Sequence, residues 1–457
     1  MWTQKDRIQA YQFLRRRLVS ALVSADANDP VSPSKRLVLG TAIGIAVAVL
    51  ASAVFGVIGL LAPARAEKWR QGGQVIMEKE TGARFIIGTD TLLHPVLNYA
   101  SARLLAGSEG GGTVTVPAKT LSGVPRGAGV GIAGAPDSLP ETSRLHAGPW
   151  TRCTRRSPDR PDGDAPISTV LLGQSTGGQV LGDQAAIVAG LPTGERFLLT
   201  GGHRYRLPDQ SAIVALGLSS ADVIDVAPPW LNTVPAGRDL RTVAIPGAGR
   251  PGPSVGATTT RIGQVLVTGA GELYLVRADG LAVTTETEAW LVLGGPGGGA
   301  AYPDDRPHPL PVAAAGVAAA PRAAAERGYP ARLPKPVPVS PHATVCVDGQ
   351  RITVGTGLPL PTGAAPITTN APGAATEVYV PGGHGAVVAA QPAPGASSGT
   401  VYVITDTGMK YPVSGDEARA ALGYGGVHPA GVPAAVLALF PTGVTLDPAQ
   451  ARRTLTS

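Results

Sequence analysis

The apolar positions of this chain fall into three regimes. From Leu37 to Ala64 the stretch "LVLGTAIGIAVAVLASAVFGVIGLLAPA" carries no charged residue. As a helix rising ~1.5 Å per residue it exceeds the ~30 Å hydrocarbon core of a bilayer. A buried core helix of a globular body would keep a polar face, and this one has none, so a transmembrane helix is predicted. Upstream, "TQKDRIQAYQFLRRRLVSALV" spaces Ile8, Tyr11, Leu14, Leu18 and Leu22 by threes and fours, the period of one helix face. Thr3, with Asp6 three residues on, marks its start. The expected element is an amphipathic helix with Arg15, Arg16 and Arg17 on its polar side, suited either to anionic lipid or to a cytoplasmic partner. Beyond the span the pattern changes to short β runs such as "ISTVLLG" from Ile167 and "ATVCVDG" from Ala343, and to Ala/Leu-rich helical stretches.

Two of these downstream stretches repeat. "RYRLPDQSAIVALGLSSADVIDVAPPWLNTVPAG" from Arg204 aligns without a gap on "KYPVSGDEARAALGYGGVHPAGVPAAVLALFPTG" from Lys410, at a constant separation of 206 residues. Tyr205 falls on Tyr411, Ala212 on Ala418, Leu216 on Leu422, Pro235 on Pro441 and Gly237 on Gly443. One supersecondary unit has been reused. A G-x-x-aromatic strand precedes each copy, at Gly194 and Gly399, and recurs at Gly82 and Gly271. There Ala100 and Leu104, and Ala289, Leu293 and Gly294, take the places of Ala212, Leu216 and Gly217, so four copies are expected. The Gly82 and Gly271 copies lie 189 residues apart, the Gly194 and Gly399 copies 205, and Cys153 and Cys346 lie 193 apart. The body is therefore read as a duplication, each half being repeat, central segment, repeat, with a cysteine in each central segment near a pseudo-two-fold axis. The expected fold is a single N-terminal transmembrane helix plus a mixed α+β body, four small repeat domains around a central β-rich domain. The expected limits are 1–36 for the tail, 37–64 for the span, 65–108, 192–245, 260–297 and 398–448 for the repeats, 109–191 and 298–397 for the central domain, and 449–457 for the end. The Pro/Ala-rich stretch from Pro296 to Pro341 reads as an extended or loop-like excursion.

Charge sharpens the topology. Of the net +6, residues 1 to 70 hold ten Lys or Arg against four acids, and the remainder balances at 28 against 28. A nucleic-acid-binding body would carry its basic stripe on the folded part, so that class is excluded. The basic flank before the span outweighs the one after it, which puts the N-terminus in the cytoplasm and the bulk outside. Ala64-Arg65-Ala66 has the look of a signal cleavage site, but the apolar stretch is too long for one. On the outer side thiols oxidise, and an even count of two fits one disulfide; two buried free thiols are the alternative.

The N-terminal phrase, the single anchor, "GGQVIMEKETGARFIIGTDTLLHPVLNYASARLLAG" and the terminal "FPTG" together make the chain closely resemble the EccB family. That family is the membrane-anchored component of the type VII (ESX) secretion apparatus of actinobacteria. The resemblance implies an inner-membrane protein whose periplasmic body has four repeat domains around a central β domain with one disulfide. It also implies assembly with EccC, EccD and EccE, self-association in the periplasm, the mycosin protease as a further partner, and a family description as ATPases.

The residues do not support that last implication. A P-loop needs G-x-x-x-x-G-K-[ST], and no Gly-Lys-Ser or Gly-Lys-Thr occurs. The glycine runs at Gly107 and Gly294 lack the lysine. "GQSTG" around Ser175 matches a nucleophile elbow, but the glycine-broken sequence after it cannot make the helix an elbow opens, so a turn is expected. The seven histidines (His94, His146, His203, His308, His342, His384, His428) have no paired ligand spacing. No catalytic, cofactor or metal residue is assigned, and ATP enters by resemblance alone. The function expected is a structural subunit of an export complex; a periplasmic hydrolase and a cell-wall-binding module are the alternatives.

Overall fold

The structure, a computed structural model, describes residues 3–24, 33–61, 68–70, 72–108, 112–156, 165–392, 396 and 399–455. The middle of the expected tail, the last residues of the expected span, the cleavage-like tripeptide and part of the first glycine run lie outside them. Helix α1, Gln4–Ser24, begins as the sequence predicts: the Thr3 N–H donates to the Asp6 carboxylate at 2.9 Å and the Asp6 N–H to the Thr3 carbonyl at 3.0 Å. Helix α2, Pro33–Leu61, contains the apolar run Leu37–Val57, with mean hydropathy 2.4 and no part of it covered by the rest of the chain. Thr41 bonds back to the Leu37 carbonyl at 2.8 Å, so its hydroxyl is satisfied within the helix.

Among the described residues the body contains four sheets built on one topology, the second of them also pairing Lys335–Pro336 parallel to its first strand. In each, three strands run antiparallel through two hairpins, a helix crosses over, and a fourth strand returns parallel to the first. The first unit uses Val75–Glu78, Arg84–Ile87, Leu93–Val96, helix Tyr99–Ala106 and Thr113–Val116. The second uses Ala185–Gly190, Arg196–Thr200, His203–Leu207, helix Gln210–Ala215 and Val223–Asp225. The third uses Val265–Thr268, Leu273–Arg277, Gly280–Thr284, helix Glu286–Leu293 and Leu310–Val312. The fourth uses Ala386–Gln391, Val401–Ile404, Lys410–Pro412, helix Asp416–Ala421 and Ala430–Pro433. The matched alanines Ala100, Ala212, Ala289 and Ala418 are all buried under these helices, as are Leu104, Leu216, Leu293 and Leu422 one turn on.

Each unit is closed in the same way. After the fourth strand a short helix is followed within four residues by a proline, and the next residue bridges the start of the third strand: Arg126 to Leu93, Ala236 to Arg204, Arg322 to Leu281 and Thr442 to Lys410. In every case the proline carbonyl accepts from the strand N–H, at 2.9, 2.8, 2.7 and 2.9 Å in chain order. The return covers the start of a sheet edge that would otherwise be an open template for pairing.

Among the described residues the central sheet has seven strands, in the order Ile367–Thr368, Glu377–Tyr379, Pro166–Leu172, Trp150–Arg156, Thr344–Asp348, Arg351–Gly355 and Gln179–Val180. Its middle pair is antiparallel, with Cys153 directly opposite Cys346, and the two are disulfide-bonded and buried. One hairpin from each half lies on either side of the bond, the pseudo-dyad arrangement that the repeat spacing predicts.

The second and fourth units dock on this sheet. Trp230, Leu231 and Val234 of the second pack with Val345, Val347 and Ile352. Val436, Leu437 and Phe440 of the fourth pack with Val170, Leu172 and Val378. The other two units lie outside them: the first-unit helix shares a core with the fourth unit through Ala100 and Leu104, and Leu291 of the third enters the core of the second.

The expected limits of the repeats need correction. The fourth strand is reached only through the helix crossover, far from the glycine–aromatic signal, and the first strand lies ahead of that signal as a largely buried run that it does not mark. The first unit consequently runs on past 108 to its return at Arg126, and the third past 297 to Arg322; the first strands of the second and fourth begin at Ala185 and Ala386. The Pro296–Pro341 stretch is also more ordered than a loop. It supplies the third unit's fourth strand, Leu310–Val312, and the helix Ala314–Ala319. Pro311 is tolerated because that strand is the sheet edge, and the alanine run favours helix.

Candidate docking and assembly surfaces

On α1, Tyr11 is 70% exposed and Leu18 62%, and Ile8, Leu14 and Leu22 are exposed as well. The spacing does place these five on one face, but the expected segregation of the arginines is incomplete. At about 100° per residue, Arg16 and Arg17 point away from the stripe while Arg15 lies within it, beside Tyr11 and Leu18. Phe13 and Val19 are also exposed, and the Arg17 guanidinium lies over the Phe13 ring at 5.8 Å. Sequence reading missed that pair; its i, i+4 spacing was the available signal.

In the body, the aromatic of each glycine–aromatic strand carries a cation on its face. Arg126 lies 4.8 Å from the Phe85 centroid, Arg204 5.8 Å from Phe197, Arg322 5.4 Å from Tyr274 and Lys410 5.9 Å from Tyr402. In the outer units, first and third, the cation comes from the return; in the inner units it starts the third strand. The alternation follows the duplication. In the fourth unit it also has a physical reason, because the short helix is buried against the central sheet and its last carbonyls need a donor there. The Lys410 ammonium donates to the Phe440 carbonyl at 2.7 Å and to that of Leu437 at 2.5 Å, and Arg204 donates to the Asn232 side chain at 3.0 Å.

Burial with no acid beside it pushes Lys410 down to about 8 from its ordinary 10.5. Between those values the unfolded chain binds more protons than the folded one, so this lysine makes stability rise with pH, and below about 8 its contribution is flat. Comparing urea denaturation of the wild type and Lys410→Met at pH 7.5 and 10.5 is expected to show the wild type gaining up to about 3 kcal/mol relative to the variant over that interval. Equal slopes in both proteins would refute the assignment.

Ser175 lies in an irregular link between Pro166–Leu172 and the edge strand Gln179–Val180, so the element that follows it is a strand and not the helix of an elbow. Among the described residues no cluster of three or more His, Cys, Asp or Glu is placed to hold a metal ion. Two of the histidines do converge: His146 and His384 meet through Nε2 and Nδ1 at 3.1 Å. They stand 238 positions apart, and no spacing in the sequence signals it.

Comparison with known proteins places these surfaces in context. Residues 1–456 match the family model described as "Type VII secretion system ESX-1, transport TM domain B". The chain is similar to the ESX-3 secretion system ATPase EccB3 of Mycobacterium tuberculosis, 26% identical, over 98% of this chain and 88% of the relative. It is also similar to the ESX-1 secretion system ATPase EccB1 of Mycolicibacterium smegmatis, 27% identical, over 97% and 94%. Among solved structures, it shares the fold of a chain in the intact ESX-5 inner membrane complex, with TM-score 0.66, 24% identity and coverage of 100% and 96%. The EccB3 dimer from the ESX-3 core complex matches with TM-score 0.65, 25% identity and coverage of 84% and 100%.

Proposed function

The chain belongs to the EccB family of type VII secretion components, and on that premise we propose that it is a structural, membrane-anchored subunit of an ESX-type export complex. The N-terminus lies in the cytoplasm, the span anchors the chain in the inner membrane, and the repeat-built body self-associates on the periplasmic side. Helix α1 docks to cytoplasmic parts of the complex, with EccC, EccD and EccE as partners and the mycosin protease meeting the body. The observation that carries this reading is the exposed stripe Ile8–Tyr11–Leu14–Leu18 on a helix just ahead of the span. Apolar side chains of this size, left uncovered on one face, gain most from a partner groove.

No nucleotide chemistry is assigned, although the relatives carry the word ATPase in their names. The test is purification of the tagged chain from membranes in mild detergent, with Leu14→Glu/Leu18→Glu alongside. The wild type is expected to bring EccC, EccD and EccE in one large assembly, and the double variant to lose them while its body melts at an unchanged temperature. Retention of all partners by the variant would move docking elsewhere. ATP hydrolysis by the purified wild type above that of a mock preparation would favour the hydrolase reading instead.

A further inference from the structure

The convergence of His146 and His384 is fixed by backbone. Leu145 and Gly385 form a parallel bridge; the His146 N–H donates to the Gly385 carbonyl at 2.8 Å and the Gly385 N–H to that of Arg144 at 3.3 Å. On the other side, the Gly383 N–H donates to the Asp406 carboxylate at 2.8 Å, and the His384 N–H closes a turn onto the Pro381 carbonyl at 3.0 Å. The His146 ring also needs Gly173, where a Cβ would come within 2.9 Å of its Cε1. The rings lie with centroids 5.0 Å apart and planes tilted by 32°. His146 sits on the link from the first unit into the central sheet, and His384 just before the first strand of the fourth unit.

We propose that His146 and His384 form a two-imidazole site for a divalent transition-metal ion of the copper(II) or nickel(II) class, which ties these two links together. Two nitrogens 3.1 Å apart, each ~2.1 Å from an ion, subtend about 95°, the cis angle of a tetragonal centre and narrower than the tetrahedral angle structural zinc prefers. Ligation needs a lone pair on both facing nitrogens. In the free pair one of them holds the shared hydrogen; on binding, that hydrogen moves through solvent to the outer nitrogen of its own ring. Both rings stay neutral and no net proton is released. Water fills the remaining positions.

The experiment is a copper(II) titration of the full-length, untagged chain in detergent, followed by electron paramagnetic resonance, with His146→Ala and His384→Ala in parallel. One equivalent is expected to bind with hyperfine splitting from two imidazole nitrogens, to raise the melting temperature of the wild type, and to bind at least tenfold more weakly in each variant. Metal-free melting curves establish that the variants are folded. Failure of the wild type to bind one equivalent, a wild-type spectrum lacking two nitrogen ligands, or undiminished affinity in either folded variant would overturn the site. Should a variant not fold, the wild-type titration and spectrum decide alone.

Discussion

Replacing Cys153 and Cys346 together by alanine is expected to lower the unfolding free energy of the body by about 5 kcal/mol. The bond joins residues 193 apart in sequence, and closing a loop of that length removes much of the freedom of the unfolded chain. Its place in the fold shapes the outcome. The two cysteines are direct cross-strand partners, flanked by the pairs Arg152–Val347 and Thr154–Val345. The hydrogen-bonded ladder between the halves is therefore formed without the bond, so the alanine protein should fold to the same structure and only unfold more readily. In urea the midpoint should fall and the slope steepen, because the freed chain expands and exposes more surface. A reductant should reproduce both changes in the wild type. An unchanged midpoint in the alanine protein would mean that the loop entropy is already restricted in the unfolded chain.

What the sequence revealed of this architecture, and what it hid, follows from which residues are chosen by a contact with backbone. Tyr205 and Tyr411 lie flat against Gly237 and Gly443, so identity is fixed on both sides and the 206-residue register survives. The buried alanines of the crossover helices are fixed the same way, by close approach of helix to sheet. First and fourth strands need only be apolar and extended, so Ala185–Gly190 and Leu310–Val312 carry no signature of their unit. The third unit matches the second and fourth at fewer positions because it holds Ala282 and Ala323 where they hold tyrosine and glycine. The strand order of the central sheet, and the meeting of His146 with His384, are products of packing between halves and have no local trace. On α1 the period of the apolar positions gave the stripe, while the side taken by each arginine depends on single steps of 100° that a spacing rule blurs.

Gly443→Ala is expected to destabilise the body by about 2–3 kcal/mol, and the same change should be nearly silent when Tyr411 is already alanine. A Cβ on Gly443 would lie 2.4 Å from Cε1 of the Tyr411 ring. The glycine cannot retreat, since its N–H is bonded to the Lys410 carbonyl at 2.8 Å in the return that closes the unit. Nor can the ring, which is 4% exposed and packed among Val403, Ala418 and Leu446. Tyr411→Ala alone should cost about 3–4 kcal/mol, as large-to-small core changes do. The double variant should then lose about as much as Tyr411→Ala, not the sum, a coupling of about 2 kcal/mol measurable by urea denaturation of the four proteins. The third unit already holds the doubly substituted state. Its return closes with Ala323 donating to the Leu281 carbonyl at 3.0 Å, next to Ala282, so the closure itself tolerates a methyl group once the ring is gone. Additive losses would mean that the glycine is needed for the backbone path of the return. That outcome would predict in turn that Gly237→Ala, whose Cβ would meet the Tyr205 ring at 2.2 Å, is not rescued by Tyr205→Ala.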